Sequence, residues 1–276
     1  MIINHNLNAM NAHRQMTGNI AAAGKSMEKL SSGLRINRAG DDAAGLSISE
    51  KMRAQIRGLD QASRNGQDAV SLVQTAEGGL NETHSILQRM RELTVQAAND
   101  TNVTLDRTAI QTELTALTSE IDHIAQSTNF NGTNLLSTGS GPLTFQIGAT
   151  SNGYDAMTLD LAQIKAKSSD LTVGSGNVSV ASSTAAQASI SLIDSAINAV
   201  STSRSYLGSL QNRLEHTVNN LSTESENLSA AESRVRDVDM AKEMMTFSKN
   251  NILSQAAQSM LAQANQQPQG VLQLLR

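Results

Sequence analysis

Histidine and the acidic residues are the side chains of this chain that could hold a metal ion or transfer a proton. The five histidines lie at positions 5, 13, 84, 123 and 216. No two of them are four residues apart and there is no His-Glu-x-x-His motif, so the spacing of a helical zinc site is missing. The chain also has no cysteine, which excludes disulfides, thiolate metal sites and a cysteine nucleophile. We therefore expect no catalytic residue, no metal site and no cofactor, and we interpret Glu215-His216 as part of a solvated helix face.

Two charged clusters also require an interpretation. The acidic pair Asp41-Asp42 could suggest a metal site, but its flanking glycines favour a turn followed by a helix N-terminus, where acidic side chains complement the helix dipole. The basic cluster consists of Lys51, Arg53, Arg57 and Arg64. With a net charge of −4 and only 2% aromatic residues, the chain lacks the basic footprint of a nucleic-acid-binding protein. The basic stretch is thus interpreted as a solvated face or a polar contact between subunits.

Composition favours long helices over a thick globular core. The chain has three phenylalanines, two tyrosines and no tryptophan among 276 residues, which argues against a deep aromatic pocket. Proline, the strongest helix breaker, occurs only twice, at positions 142 and 268. No apolar run reaches the roughly 20 residues of a transmembrane helix, and the N-terminus lacks the apolar core of a Sec signal peptide. We expect no membrane insertion.

A heptad repeat is the strongest structural signal in the C-terminal half. Seven apolar residues fall in strict seven-residue register and define the predicted coiled-coil seam. They are Ile193, Val200, Leu207, Leu214, Leu221, Leu228 and Val235. Because a long helix with one narrow apolar stripe is not stable alone in water, this helix needs a partner. A second heptad series between Met52 and Leu87 supplies a candidate.

Three further helices follow from the apolar spacing. One is predicted over about 105–128, one near the N-terminus with apolar residues from Met16 to Leu34, and one over about 238–267. Both terminal segments are helical and could pair with each other. The predicted fold is mainly α, a long-helix coiled-coil bundle built from the N- and C-terminal segments, with a small β-hairpin insert.

The insert lies in the middle of the chain, at about 130–186, where glycine, serine and threonine cluster. Alternating apolar residues at 143–147 and 157–161 flank Asn152-Gly153, which predicts a hairpin. A weaker second hairpin is predicted from 171–173 and 178–180, on either side of 174–176.

Several long ungapped motifs resemble those of bacterial flagellins. The N-terminal signature is residues 30–46, LSSGLRINRAGDDAAGL. The C-terminal signature is residues 212–217, NRLEHT, and 230–241, AAESRVRDVDMA. The ending, residues 260–266, MLAQANQ, and 271–276, VLQLLR, is also typical. The resemblance covers about 1–135 and 187–276, and the middle has room only for the inner β segment of a short flagellin.

The resemblance implies a domain organisation and a function. Residues 1–43 and 236–276 would form an inner coiled-coil domain, and 44–235 a shell of helices carrying the β insert. The chain would be exported unfolded through the flagellar type III apparatus and would polymerise into the extracellular filament that drives swimming. Its implied partners are other copies of itself, an export chaperone, the filament cap and the hook-associated junction proteins.

The resemblance also implies contacts with host receptors. A vertebrate flagellin-sensing Toll-like receptor would read a surface formed by Gln88, Arg89, Glu92, Leu93 and Glu113, with Leu93 expected to be exposed between the charged side chains. The same surface would contact the next subunit of the filament. The C-terminal apolar residues would engage cytosolic innate immune receptors and the export chaperone; they are Val271, Leu272, Leu274 and Leu275.

Two other classes of protein remain alternatives from the sequence. A hook–filament junction protein would share flagellin-like termini, although the small middle and the 271–276 ending favour flagellin. A soluble secreted helical effector or enzyme is the third possibility, and only a filament subunit should form long helical filaments.

Overall fold

The computed structural model describes residues 6–137, 141–174 and 176–274, with side chains described as far as residue 266. Within these residues there are five α-helices: α1 (Leu7–Ser32), α2 (Ala43–Ala97), α3 (Thr104–Ser127), α4 (Ser183–Arg236) and α5 (Met240–Leu274). There are four short strands: β1 (Asn129–Phe130), β2 (Thr133–Asn134), β3 (Leu143–Gln146) and β4 (Ala156–Leu159). The prediction of a mainly α fold with a small β-hairpin insert is confirmed. None of the helices in the described residues is long and apolar enough to cross a membrane.

The chain divides into two compact units. Unit 1 comprises the described residues up to Ile56 together with those from Glu226 onward, and unit 2 is Arg57–Ser225. In unit 1, α1 packs along α5, so the predicted pairing of the terminal helices is confirmed. The C-terminal helix is longer than predicted, since it continues past Pro268 to Leu274.

The segment that follows α1 and the segment that follows α4 are hydrogen-bonded to each other. Gly33 ends α1 in the left-handed conformation, at φ 72°, which glycine adopts without strain. Directly after it, Leu34 pairs with Asp237 as an antiparallel bridge. The backbone N–H of Arg35 donates to the carbonyl of Arg236 at 2.7 Å, and its guanidinium donates to the carbonyl of Val235 at 2.6 Å. The two segments that connect the helices are thereby held together.

Helices α2 and α4 run antiparallel in unit 2 and bury their heptad positions. Three polar contacts join residues of increasing number on α2 to residues of decreasing number on α4. They are Asp60–Ser225, Glu77–Arg204 and Arg91–Asp194. The buried positions of α2 alternate three and four residues apart from Leu59 to Ala97, the spacing of a coiled-coil seam. Helix α3 adds Ile110, Leu114 and Ile121 to the same core, as its predicted face requires.

Two antiparallel hairpins follow α3. In the first, β1 pairs with β2 across Asn131-Gly132, both with positive φ (49° and 80°), as in the tight turns that Asn-Gly favours. This hairpin was not predicted from the sequence, although an Asn-Gly pair is typical of a hairpin turn. In the second, β3 pairs with β4 and Phe145 lies opposite Met157, so the hairpin predicted there is confirmed. Its connection is a nine-residue loop rather than a two-residue Asn152-Gly153 turn.

The predicted hairpin at 171–180 is wrong. The described residues on either side of position 175 form turns and irregular chain and do not pair as strands. The apolar residues expected on those strands instead enter the core of unit 2; they are Leu171, Val173, Val178 and Val180. In this segment the alternation of apolar residues indicates which side chains are buried, but it does not indicate strand pairing.

Side chains of α3 and α4 hydrogen-bond the backbone of this irregular segment. The Gln111 amide donates to the carbonyl of Val178 at 3.1 Å and accepts from the N–H of Val180 at 2.9 Å. The Ser189 hydroxyl accepts from the N–H of Ser179 at 3.0 Å and donates to the carbonyl of the same residue at 2.9 Å. Buried backbone groups must be paired, so these polar side chains replace the missing ladder of a sheet.

Candidate self-association surface

Unit 1 has almost no apolar core of its own. Ile36 is the single fully buried apolar side chain among its described residues, whereas unit 2 buries more than thirty. Most of the large apolar side chains that the described chain exposes lie instead on α1 and α5. These side chains define the apolar surface of unit 1: Leu7, Met10, Ile20, Met27, Met240, Met244, Met245, Ile252, Leu253 and Met260. An exposed apolar surface of this extent marks an interaction site.

On α5 part of this surface forms an open groove. Met244, Met245, Ile252 and Leu253 line it, and Ser248 and Lys249 supply its polar edge. Met245 and Ile252 are seven residues apart and are 67% and 65% exposed. This spacing places them on the same face of the helix, as in one side of a helix–helix seam.

The seam predicted on α4 passes from a buried to a half-buried environment. Ile193, Val200, Leu207 and Leu214 have no exposed surface, and Leu221 has little. The last two positions, Leu228 and Val235, lie in unit 1 and are only half-buried. The seam therefore becomes more exposed where α4 enters unit 1, which has almost no apolar core.

The charged residues of the predicted receptor surface form a connected cluster on unit 2. Arg89 lies on α2 and donates to the carboxylate of Glu113 on α3, through Nη2 at 3.0 Å and Nε at 3.2 Å. Its Nη1 also donates to Glu92 at 3.3 Å. The hydrogen bond to Glu113, then that to Glu92, raises the pKa of the Arg89 guanidinium above its ordinary value. Gln88 is exposed beside this cluster and contacts His84.

Leu93 does not have the exposure expected of it. It is only 3% exposed and belongs to the core of unit 2. The physical reason is helix phase: Leu72, Ile86 and Leu93 repeat at multiples of seven on a flank of the α2 seam, which widens the buried face of the helix. The exposed apolar residue near the charged cluster is Val95, at 50%, which lines a shallow groove with Arg91 and Asp194.

One residue of the acidic pair caps α2, and the other is hydrogen-bonded to the loop that precedes it. Asp42 immediately precedes the helix, and its carboxylate accepts from the N–H of Gly45 at 2.8 Å, so the interpretation as a helix N-terminus is confirmed. The N–H of Arg38 donates to the Asp41 carboxylate at 3.0 Å. That hydrogen bond, supported by a weaker one from the N–H of Asn37 and by nearby Lys25 and Lys29, holds the pKa of Asp41 below its ordinary value of 3.8.

The remaining predicted positions fall into two groups. In the basic stretch, Arg53 faces Glu50 and Glu232, and Arg64 is hydrogen-bonded to Gln61. Among the C-terminal apolar residues, Leu275 lies outside the described residues, and Val271, Leu272 and Leu274 lie in α5 beyond the last described side chain. In the part of the chain that the structure describes, no group of histidine and acidic residues could hold a metal ion.

The chain is similar to known proteins along most of its length. Residues 3–140 match the bacterial flagellin N-terminal helical region, and residues 190–275 match the bacterial flagellin C-terminal helical region. A flagellin of Halalkalibacterium halodurans is 60% identical over 276 residues, covering all of both chains. A flagellin of Bacillus subtilis is 54% identical over 304 residues, again covering all of both chains. The crystal structure of Bacillus cereus flagellin aligns with a TM-score of 0.49 at 36% identity, covering 61% of this chain and 94% of that one.

Paired terminal helices, a unit with almost no core and an exposed apolar surface define a subunit of a helical assembly. The two family matches and the full-length relatives specify which one: the chain belongs to the bacterial flagellin family. It is a structural subunit of the flagellar filament, which serves motility and is built by self-polymerisation. These matches favour flagellin over a hook–filament junction protein.

Proposed function

We propose that this flagellin polymerises by burying the apolar surface of unit 1 between copies of the chain. The observation that carries the proposal is the contrast between ten exposed large apolar side chains on α1 and α5 and a single buried one, Ile36. Full burial of such a side chain contributes about 1.5–3 kcal/mol, so a half-exposed one would contribute about 1 kcal/mol on assembly. The ten side chains together would contribute about 10 kcal/mol per subunit, which is comparable to the cost of about 4–15 kcal/mol for the freedom lost on association.

The helix ends support the domain organisation that the family resemblance implies. In this proposal, 1–43 and 236–276 form the inner coiled-coil domain and 44–235 the outer shell. The chain breaks between α1 and α2 and between α4 and α5, close to both boundaries. The half-buried seam residues Leu228 and Val235 approach the second break, where burial by neighbouring subunits would complete the seam.

Substitution on the α5 groove tests the polymerisation proposal. Ile252→Asp should abolish assembly of purified monomer onto short filament seeds, because a buried unpaired carboxylate is strongly unfavourable. Ile252→Leu is the matched control and should assemble like the parent chain. Sedimentation measures the polymer, electron microscopy its form, and circular dichroism checks that both monomers have equal helicity. Normal filaments from the aspartate variant would contradict the proposal.

A second proposal concerns recognition by the host. The exposed charged cluster of Gln88, Arg89, Glu92 and Glu113 would be read by a flagellin-sensing Toll-like receptor, with buried Leu93 fixing the helix beneath it. Arg89 is paired with Glu92 on its own helix and with Glu113 on α3, and arginine is a residue type enriched at binding hot spots. In the filament the same cluster would contact the next subunit along the axis.

The remaining partners follow from the family resemblance and from the exposed α5 face. An export chaperone would cover this face and the C-terminal residues Val271, Leu272, Leu274 and Leu275 before assembly, which would prevent premature polymerisation. After type III export the chain would assemble outside the cell between the hook-associated proteins and the filament cap. Cytosolic immune receptors would bind the same C-terminal end. Its role would be structural and non-enzymatic.

A further inference from the structure

The exposure of the methionine side chains differs between the two units. The sequence has eleven methionines, and the six whose side chains are exposed among the described residues all lie on α1 and α5 in unit 1. They are Met10, Met27, Met240, Met244, Met245 and Met260, each between 48% and 67% exposed. Unit 2 contains the two fully buried methionines, Met90 at 0% and Met157 at 7% exposure.

The chemistry of a methionine on such a surface differs from that of a leucine. Its thioether is the most readily oxidised side chain in this sequence, because cysteine and tryptophan are both absent. Susceptibility to oxidation follows exposure, and oxidation converts a flexible apolar side chain into a polar one. Six of the ten side chains of the apolar surface of unit 1 therefore carry a group whose polarity a peroxide can change.

We propose that the exposed methionines of unit 1 are an oxidation site that controls whether the monomer can assemble, an inference that rests on the self-association surface proposed above. The oxidant is a hydroperoxide. The thioether sulfur attacks its terminal oxygen, the O–O bond breaks as an S–O bond forms, the sulfur is oxidised by two electrons to the sulfoxide, and the peroxide is reduced to water or an alcohol. Assembly buries the same sulfur atoms, so the filament resists this oxidation.

The α5 groove is where the modification has its largest effect. Met244 and Met245 line it together with Ile252 and Leu253. A sulfoxide oxygen buried there finds few donors, since the groove has only Ser248 and Lys249 at its edge. Burying an uncompensated polar group weakens association, and a single such sulfoxide should raise the critical concentration for assembly about tenfold.

Hydrogen peroxide and peptide mapping test the site. Monomer and filament are treated at equal concentration, and the sulfoxide fraction of each methionine is measured by mass spectrometry. In the monomer, the six exposed methionines should oxidise about tenfold or more faster than Met90 and Met157. In the filament they should be protected to a similar extent. Equal rates for exposed and buried methionines in the monomer would overturn the proposal, whereas equal rates in monomer and filament would refute the self-association surface on which it rests.

The effect of oxidation on assembly is measured on the same samples. Peroxide-treated monomer should assemble onto seeds only at a concentration about tenfold higher or more, and methionine sulfoxide reductases A and B with a thiol reductant should restore assembly at the original concentration. The variant Met244→Leu/Met245→Leu is compared with itself before and after peroxide. The rise in its critical concentration should be smaller than that of the parent chain, and a rise equal to that of the parent would contradict the assignment of the effect to the α5 groove. Unchanged assembly of fully oxidised monomer would refute the oxidation site. Failure of untreated monomer to bury this surface in the filament would instead refute the proposed self-association surface, so the two are distinguishable.

Discussion

Truncation of Leu214 should destabilise unit 2 substantially. The side chain has no exposed surface and lies in the seam of α4, which packs on α2. Leu→Ala removes the transfer free energy of the lost carbons, about 2 kcal/mol, and adds a cavity contribution, within a measured range of about 2–5 kcal/mol. Since the neighbouring seam residues Leu207 and Leu210 are buried as well, the site has little room to collapse and we expect about 3–4 kcal/mol.

The chain provides its own probe for this measurement. Both tyrosines, Tyr154 and Tyr206, lie in unit 2 and the chain has no tryptophan, so tyrosine fluorescence during urea or thermal unfolding of the monomer reports on that unit. For a domain of this size, 3–4 kcal/mol corresponds to a fall in Tm of about 6–16 °C. Leu105→Ala is the matched control: it lies in unit 2 but is 78% exposed, and it should change stability by less than about 0.5 kcal/mol. Equal effects of the two variants would refute the assignment of Leu214 to the seam.

Three other perturbations have defined outcomes. Gln111→Leu leaves the backbone groups of residues 178 and 180 without partners and should cost about 1–3 kcal/mol in the same tyrosine assay; an unchanged midpoint would show that water replaces the amide. Asp41 has a folded-state pKa below 3.8, so it stabilises unit 1 fully at neutral pH and loses this effect as the pH falls below 3.8. The stability difference between the parent chain and Asp41→Asn, followed by helix content, should thus shrink in that acid range; a constant difference would contradict the role of the carboxylate. Arg89→Ala should weaken receptor binding by monomer about tenfold or more, measured as the dose shift in receptor signalling. Cross-linked filament at equal mass should signal poorly, and equal signalling by monomer and filament would show that the patch lies outside the subunit interface.

The long helices could be predicted because their information is local and repeated. Seven apolar residues in strict register define α4 without any knowledge of its neighbours, and a helix that long requires a partner. The cap at Asp42 could also be predicted from the sequence, because capping depends on residues within one turn of the helix. The register does not specify how wide the buried face is, so Leu93 was expected at the surface although it is buried in the core of unit 2.

The irregular segment near 171–180 could not be predicted for a different reason. Its alternating apolar residues are compatible with a hairpin, but the backbone of Val178 and Val180 pairs with Gln111, which lies more than sixty residues away on α3. Nothing in a single sequence indicates that a glutamine amide on one helix will replace a strand. The same holds for the charged cluster, where the Arg89–Glu113 contact joins α2 to α3.

Electron cryomicroscopy of filaments grown from the purified chain tests the central claim most directly. The claim is that this flagellin assembles by burying the apolar surface that unit 1 exposes in the monomer. We predict long helical filaments in which Met245 and Ile252, each about two-thirds exposed in the monomer, are buried against neighbouring subunits. Filaments in which both side chains still face solvent, or a purified chain that forms no filaments on seeds, would contradict the account.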